Sequence, residues 1–123
     1  MCGIAGYSLE FNSKTEDEWI SSVLPSLKHR GPDDCGKFFS DCNSIGLFHT
    51  RLSIVDLSPL GHQPMVDDTN SIALVFNGEI YNYRELRYEL ELKGHNFLSD
   101  SDTEVLLRLY MDYRDDTQVN NTY

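Results

Sequence analysis

Apolar residues recur along this chain in two rhythms, and the rhythms divide it into elements. From Thr15 to Leu27, helical spacing puts Trp19, Ile20, Val23, Leu24 and Leu27 on one face. Thr15 followed by Glu18 reads as a capping box, in which Thr15 caps the free amides and Glu18 reaches back. Pro25 falls inside this pattern, where a missing N–H predicts a kink or an interruption. A second helix is expected behind Asn82, with Glu85 completing another box, Tyr83, Leu86 and Leu90 facing inward and Gly94 as the stop. A third begins at a box of Ser101 and Glu104 and is expected to bury Val105, Leu106, Leu109, Tyr110 and Tyr113.

Between the helices the pattern is extended. Residues 2–9 read as a strand, two more are expected near 36–40 and 45–49, and 51–55 continue with extended character. Gly31-Pro32-Asp33-Asp34 marks a turn, and residues 56–71, with Pro59, Gly61 and Pro64, read as a loop. The unbroken run Ile72–Phe76 predicts a strand covered on both faces, ended by Asn77-Gly78. A short strand is expected around 95–98. The order β-α-β-β-β-β-α-β-α implies an α+β fold, mostly antiparallel sheet with helices on its faces. Residues 1–113 form one domain on this reading, and the polar segment 114–123, without apolar periodicity, is expected to fray as a tail.

Composition narrows the function. The chain has 123 residues, enough for one domain with a real core. A net charge of −10 argues against a nucleic-acid partner, which needs clustered Lys and Arg. No apolar run approaches membrane-spanning length, and the N-terminus lacks the basic and apolar regions of a secretory signal. The three cysteines, Cys2, Cys35 and Cys42, are an odd count that suits free thiols in a reducing cytoplasm. The four histidines are scattered and imply no metal site.

Cys2 follows Met1 directly. Removal of Met1 would place a thiol and a free α-amine on one residue. That amine, with a reference pKa of about 7.7–8.0, could take the thiol proton and leave a thiolate nucleophile. The structural alternative is a small buried residue at a strand end. Asn77-Gly78 likewise could be only a hairpin turn, Asp102 only a first-turn acid favoured by the helix dipole, and Arg51 only a solvated charge.

Six segments read together go further: Cys2-Gly3-Ile4, His29-Arg30-Gly31-Pro32-Asp33, His49-Thr50-Arg51-Leu52-Ser53-Ile54-Val55-Asp56, Gly61-His62-Gln63-Pro64-Met65, Asn77-Gly78-Glu79-Ile80-Tyr81-Asn82 and Ser101-Asp102-Thr103-Glu104. Together they resemble the glutaminase domain of glutamine-hydrolysing asparagine synthetases, a class II glutamine amidotransferase among the N-terminal-nucleophile hydrolases. The resemblance covers residues 1 to about 112. It implies a sandwich of mostly antiparallel sheets flanked by helices. It also implies that Cys2 forms a thioester with glutamine, that Asn77 and Gly78 make the oxyanion hole, and that Arg51 holds the substrate α-carboxylate. Asp102, with Glu79 nearby, would hold the α-ammonium, and backbone around Ile54 and Val55 would line the pocket. Glutamate and ammonia would be released, the ammonia serving asparagine synthesis.

The resemblance fades near Tyr113, which implies an incomplete sandwich. No Ser-Gly-Gly-x-Asp-Ser pyrophosphate loop occurs in the chain. ATP and Mg would therefore belong to a synthetase domain absent here, and this chain itself implies no cofactor. Glutamine is the expected partner, with a separately encoded synthetase domain as a further one. The rival expectation is a non-catalytic truncated remnant, or half of a split enzyme that depends on its partner.

Overall fold

The computed structural model describes residues 1–9, 14–53, 57–69 and 71–120, without side chains for 118–120. Strands β1 (Gly3–Ser8), β2 (Asp34–Phe39) and β3 (Ile45–Arg51) form an antiparallel sheet in the order β1-β3-β2. The register sets Gly3 and Cys35 on either side of Thr50, and Ile4 and Gly36 on either side of His49. Because side chains alternate across a sheet, Tyr7, Phe39, Phe48 and Thr50 share one face. Helix α1 (Glu16–Leu27) covers that face. Its Trp19 ring stands edge-on to Tyr7 at 4.9 Å and to Phe39 at 5.8 Å. Thr50 Oγ1 donates to the Leu27 carbonyl at 3.0 Å.

The expected capping box of α1 is present: Thr15 Oγ1 accepts from Glu18 N–H at 3.2 Å, and Glu18 Oε2 accepts from Thr15 N–H at 3.0 Å. Pro25 lies within the helix, which ends at Leu27 and tightens into a 3-10 turn over Lys28–Arg30.

The opposite face of the sheet presents His49 and Arg51 to the segment around Gly61–Pro64. Gly36 allows this approach, because a Cβ there would collide with the Gln63 carbonyl oxygen and the His62 ring. The chain then forms a two-stranded hairpin, β4 (Met65–Val66) and β5 (Ala73–Leu74), with Met65 opposite Leu74 and Val66 opposite Ala73. Buried Asp67 organises its loop. Its carboxylate accepts from Ser71 N–H at 2.8 Å, Ile72 N–H at 2.9 Å, Thr69 Oγ1 at 2.6 Å and Ser71 Oγ at 3.1 Å. Burial pushes this carboxyl up, but the four donors outweigh it and hold the pKa at about 2.

Helices α2 (Tyr83–Leu92) and α3 (Asp102–Asn120) pack together, and α3 also meets β4. Gly94, at φ 98°, ends α2 as the sequence predicts. His95 N–H donates to Leu90 O and Gly94 N–H to Glu91 O, the paired bonds of a Schellman cap. Phe48, Leu90, Val105 and Leu107 are the buried apolar residues among those described.

The α+β class with antiparallel sheets and helices is thus present, but several elements differ from expectation. Residues 95–98 form no strand; Leu98 N–H is taken by the Glu104 carboxylate instead of a neighbouring strand. Glu104 therefore does not close the third capping box, although Ser101 Oγ does accept from Thr103 N–H. Asn82 makes no side-chain cap, because its ψ of 25° is not extended and Tyr83 N–H turns back to Ile80 O. Met65–Val66 is a strand inside the expected loop. The apolar run 72–76 is strand only at Ala73–Leu74 and is half-buried, since among the described residues β5 has a strand partner on one edge alone. On α3, Leu107 and Arg108 are buried while Tyr110 and Tyr113 are 53% and 68% exposed. Arg108 can be buried because Glu104, one turn back, meets it at 3.4 Å. The helix also runs on through Asn120, across the segment expected to fray. That stretch carries no Gly or Pro, and extending a formed helix needs no new nucleus. No helix among the described residues is long and apolar enough to cross a membrane.

Candidate active site

A cleft of about 320 Å³ opens at the end of the sheet where β1 begins and β3 finishes. Cys2, Arg51, Asn77, Gly78, Glu79 and Asp102 all line it, although they come from four separate stretches of chain. Ile54 and Val55, the remaining expected site residues, lie outside the described residues.

The antiparallel register explains how two of these meet. Gly3 pairs with Thr50, so Cys2 and Arg51, just beyond this last β1–β3 rung, lie side by side. Cys2 Sγ lies against the backbone of Leu52: it accepts from Leu52 N–H at 3.3 Å and faces Leu52 O at 3.6 Å. Arg30 Nε donates to the Cys2 carbonyl at 3.3 Å and fixes the backbone on the other side. The thiol is half-buried.

Arg51 is 7% exposed, unusual for a guanidinium. Its Nη1 donates to Ser58 O at 2.9 Å, and the bare backbone of Gly61 packs on its plane. Among the described residues no carboxylate pairs with it. A desolvated, planar cation without an acidic partner is suited to a carboxylate ligand.

Asp102 faces it from the first turn of α3 and is also buried. One carboxylate oxygen, Oδ2, accepts from Ile80 N–H at 3.1 Å, which ties the Asn77–Tyr81 loop to the helix start. Gly78 backs onto the Phe76 ring, where a Cβ would be crowded. Glu79 and Tyr81 stand exposed at the rim. Among the described residues the cleft therefore sets the Arg51 guanidinium and the Glu79 and Asp102 carboxylates around a thiol, complementary to a small zwitterion carrying an electrophilic carbon.

Beneath it, His49 is fully buried and neither ring nitrogen has a well-formed hydrogen bond among the described residues. Desolvation lowers its pKa, and the Phe76 backbone offsets only part of this.

Sequence reasoning left out several lining residues. Leu52 contributes through its backbone, which no side-chain pattern reveals. Gln63 and Thr103 sit in segments that support the resemblance, but nothing in their spacing shows that they touch each other.

The family described as "Glutamine amidotransferase domain" matches residues 1–121, past the Tyr113 at which the sequence reading ended the likeness. The chain is 42% identical over 122 residues to asparagine synthetase [glutamine-hydrolyzing] 1 of Bacillus subtilis, covering 94% of this chain and 18% of that protein. It is 44% identical over 126 residues to putative asparagine synthetase [glutamine-hydrolyzing] 2 of Methanocaldococcus jannaschii, covering 89% and 24%. With amidase chry2 of Gibberella zeae the identity is 41% over 124 residues, covering 92% and 18%. The chain thus spans about one fifth of the length of these relatives.

Proposed function

This chain belongs to the family of glutamine amidotransferase domains, and we propose that its cleft hydrolyses the side-chain amide of glutamine through a thioester on Cys2. The observation that carries this reading is the convergence of Cys2, Arg51, Asn77, Gly78 and Asp102 on one cleft from distant points in the sequence.

Arg51 takes the α-carboxylate and Asp102, with Glu79, the α-ammonium. This fixes one end of glutamine and leaves its side-chain amide reaching toward Cys2. Loss of Met1 frees the Cys2 α-amine, which accepts the thiol proton. The thiolate attacks the amide carbon, and Asn77 Nδ2 and the Gly78 N–H stabilise the oxyanion that forms. The carbon–nitrogen bond then breaks, the α-ammonium returns its proton to the leaving nitrogen, and ammonia departs. Water attacks the thioester next. Its hydroxyl joins the carbonyl carbon, its proton returns to sulfur, and glutamate leaves.

The proposal extends to the layout and setting of the domain. The α1-covered sheet and the β4–β5 hairpin under α3 fit two sheets of an N-terminal-nucleophile sandwich. A reducing compartment, the cytoplasm, suits a mechanism that needs a free thiol. The names of the relatives support asparagine synthesis as the use of the ammonia, with the acceptor chemistry on a synthetase domain that these residues do not include.

The test is glutamate release from L-glutamine by the purified chain, alongside Cys2→Ala and intact-mass analysis. Turnover that disappears in Cys2→Ala, on a chain lacking Met1, is the expected result. Equal turnover in both proteins, or full turnover with Met1 retained, refutes the mechanism.

A further inference from the structure

We propose that Gln63 is a positioning residue that, through Thr103, sets the spacing between the oxyanion donors at Asn77–Gly78 and the ammonium anchor Asp102; the idea rests on the glutaminase reading above. Gln63 is 6% exposed and lines the cleft. Its Oε1 accepts from Phe76 N–H at 2.7 Å, and its Nε2 donates to Thr103 Oγ1 at 3.1 Å. Phe76 immediately precedes Asn77, and Thr103 immediately follows Asp102. One side-chain amide therefore links the two walls of the cleft at the residues beside its working groups.

The orientation of this amide follows from its partners. A backbone N–H can only donate, so the oxygen must face Phe76 and the nitrogen must face the Thr103 hydroxyl. Thr103 is itself 2% exposed, and the Gln63 backbone is pressed against Gly36 of β2. The brace is thus held by the sheet, the hairpin and α3. A second link, Ile80 N–H to Asp102 Oδ2, crosses the same gap a few residues on. The segment that carries Asn77 and Gly78 is tied at both ends.

The consequence concerns rate more than binding. Glutamine's α-groups and its amide carbonyl are held by different walls. Displacing one wall leaves each set of contacts available but moves the carbonyl off line from Sγ. A displacement of about 1 Å can cost roughly 10²-fold in rate.

The experiment uses Thr103→Val, which removes the hydroxyl at constant shape, Thr103→Ser, which restores it, and Gln63→Met, which spans the gap without bonding. Steady-state kinetics with L-glutamine and ¹⁵N–¹H spectra of the full chain are recorded for each. In Thr103→Val and Gln63→Met, kcat should fall by about 10- to 100-fold with KM within about threefold. Thr103→Ser should stay near wild type. The Phe76, Asn77 and Gly78 amide signals should shift in Thr103→Val and return in Thr103→Ser, though the altered atom lies on another element. Unchanged kcat, a raised KM at constant kcat, or an equal defect in Thr103→Ser overturns the proposal. A wild-type chain without glutamine turnover sinks the glutaminase reading, and unmoved Asn77 and Gly78 signals then sink the brace separately.

Discussion

Asp67 should make the β4–β5 hairpin sensitive to acid. Folding takes its pKa from 3.8 to about 2, with burial opposing and four hydrogen bonds to the carboxylate prevailing. That lowering corresponds to roughly 2 kcal/mol if fully realised. Asp68 and Thr69 beside it are exposed, so water competes for the same donors and about 1–2 kcal/mol is the working expectation. The sign follows from the depressed folded value. The contribution is complete above the unfolded pKa of about 4 and disappears as pH falls from there through 2. Asp67→Asn retains one acceptor oxygen but not the charge. Urea unfolding of both proteins, followed by circular dichroism from pH 7 to pH 2, measures the effect. The variant should be less stable by about 1–2 kcal/mol down to about pH 5 and approach wild type near pH 2. Carboxylates common to both proteins cancel in the difference. A stability gap that persists undiminished to pH 2 would refute the assignment.

Three other outcomes are expected. Arg51→Ala and Asp102→Ala should each weaken glutamine binding by about 2–5 kcal/mol, seen chiefly in KM, and normal KM in both would remove them from substrate recognition. Asn77→Ala should lower turnover by roughly 10²–10³ with little change in KM, and a binding defect at normal kcat would make Asn77 a structural turn. Buried neutral His49, its pKa lowered by desolvation, should cost stability as pH falls below about 6.5, because the unfolded chain then takes a proton that the folded one refuses. His49→Met should flatten that slope, measured by thermal melts; identical slopes would show that His49 is not its source.

The parts of this fold legible in the sequence are those governed by neighbours in the chain. The Thr15–Glu18 box and the Gly94 stop depend on local backbone geometry, and both formed. The cleft residues were legible because each sits in a distinctive short segment. Longer-range competition was not legible. Glu104 abandons its own helix end for the backbone of Leu98 and Ser99, which removes a capping box and a strand together. Tyr110 and Tyr113 looked like core until the helix passed beyond what covers it. Gln63 was hidden for the same reason, since both of its partners are far along the chain.

The first paired residue of the sheet is Gly3, and the Arg30 bond holds the Cys2 carbonyl. Both ties lie downstream of the Met1–Cys2 peptide bond, while Met1 itself is 72% exposed. Cutting that bond disturbs no rung of the ladder. If Met1 is removed as proposed, that step would not depend on the state of the sheet. An aminopeptidase can act on the nascent chain or on the finished fold and leave the same sheet behind. On the mechanism proposed above, the sheet can be fully assembled before the nucleophile is armed, and cleavage at this exposed end would be the arming step.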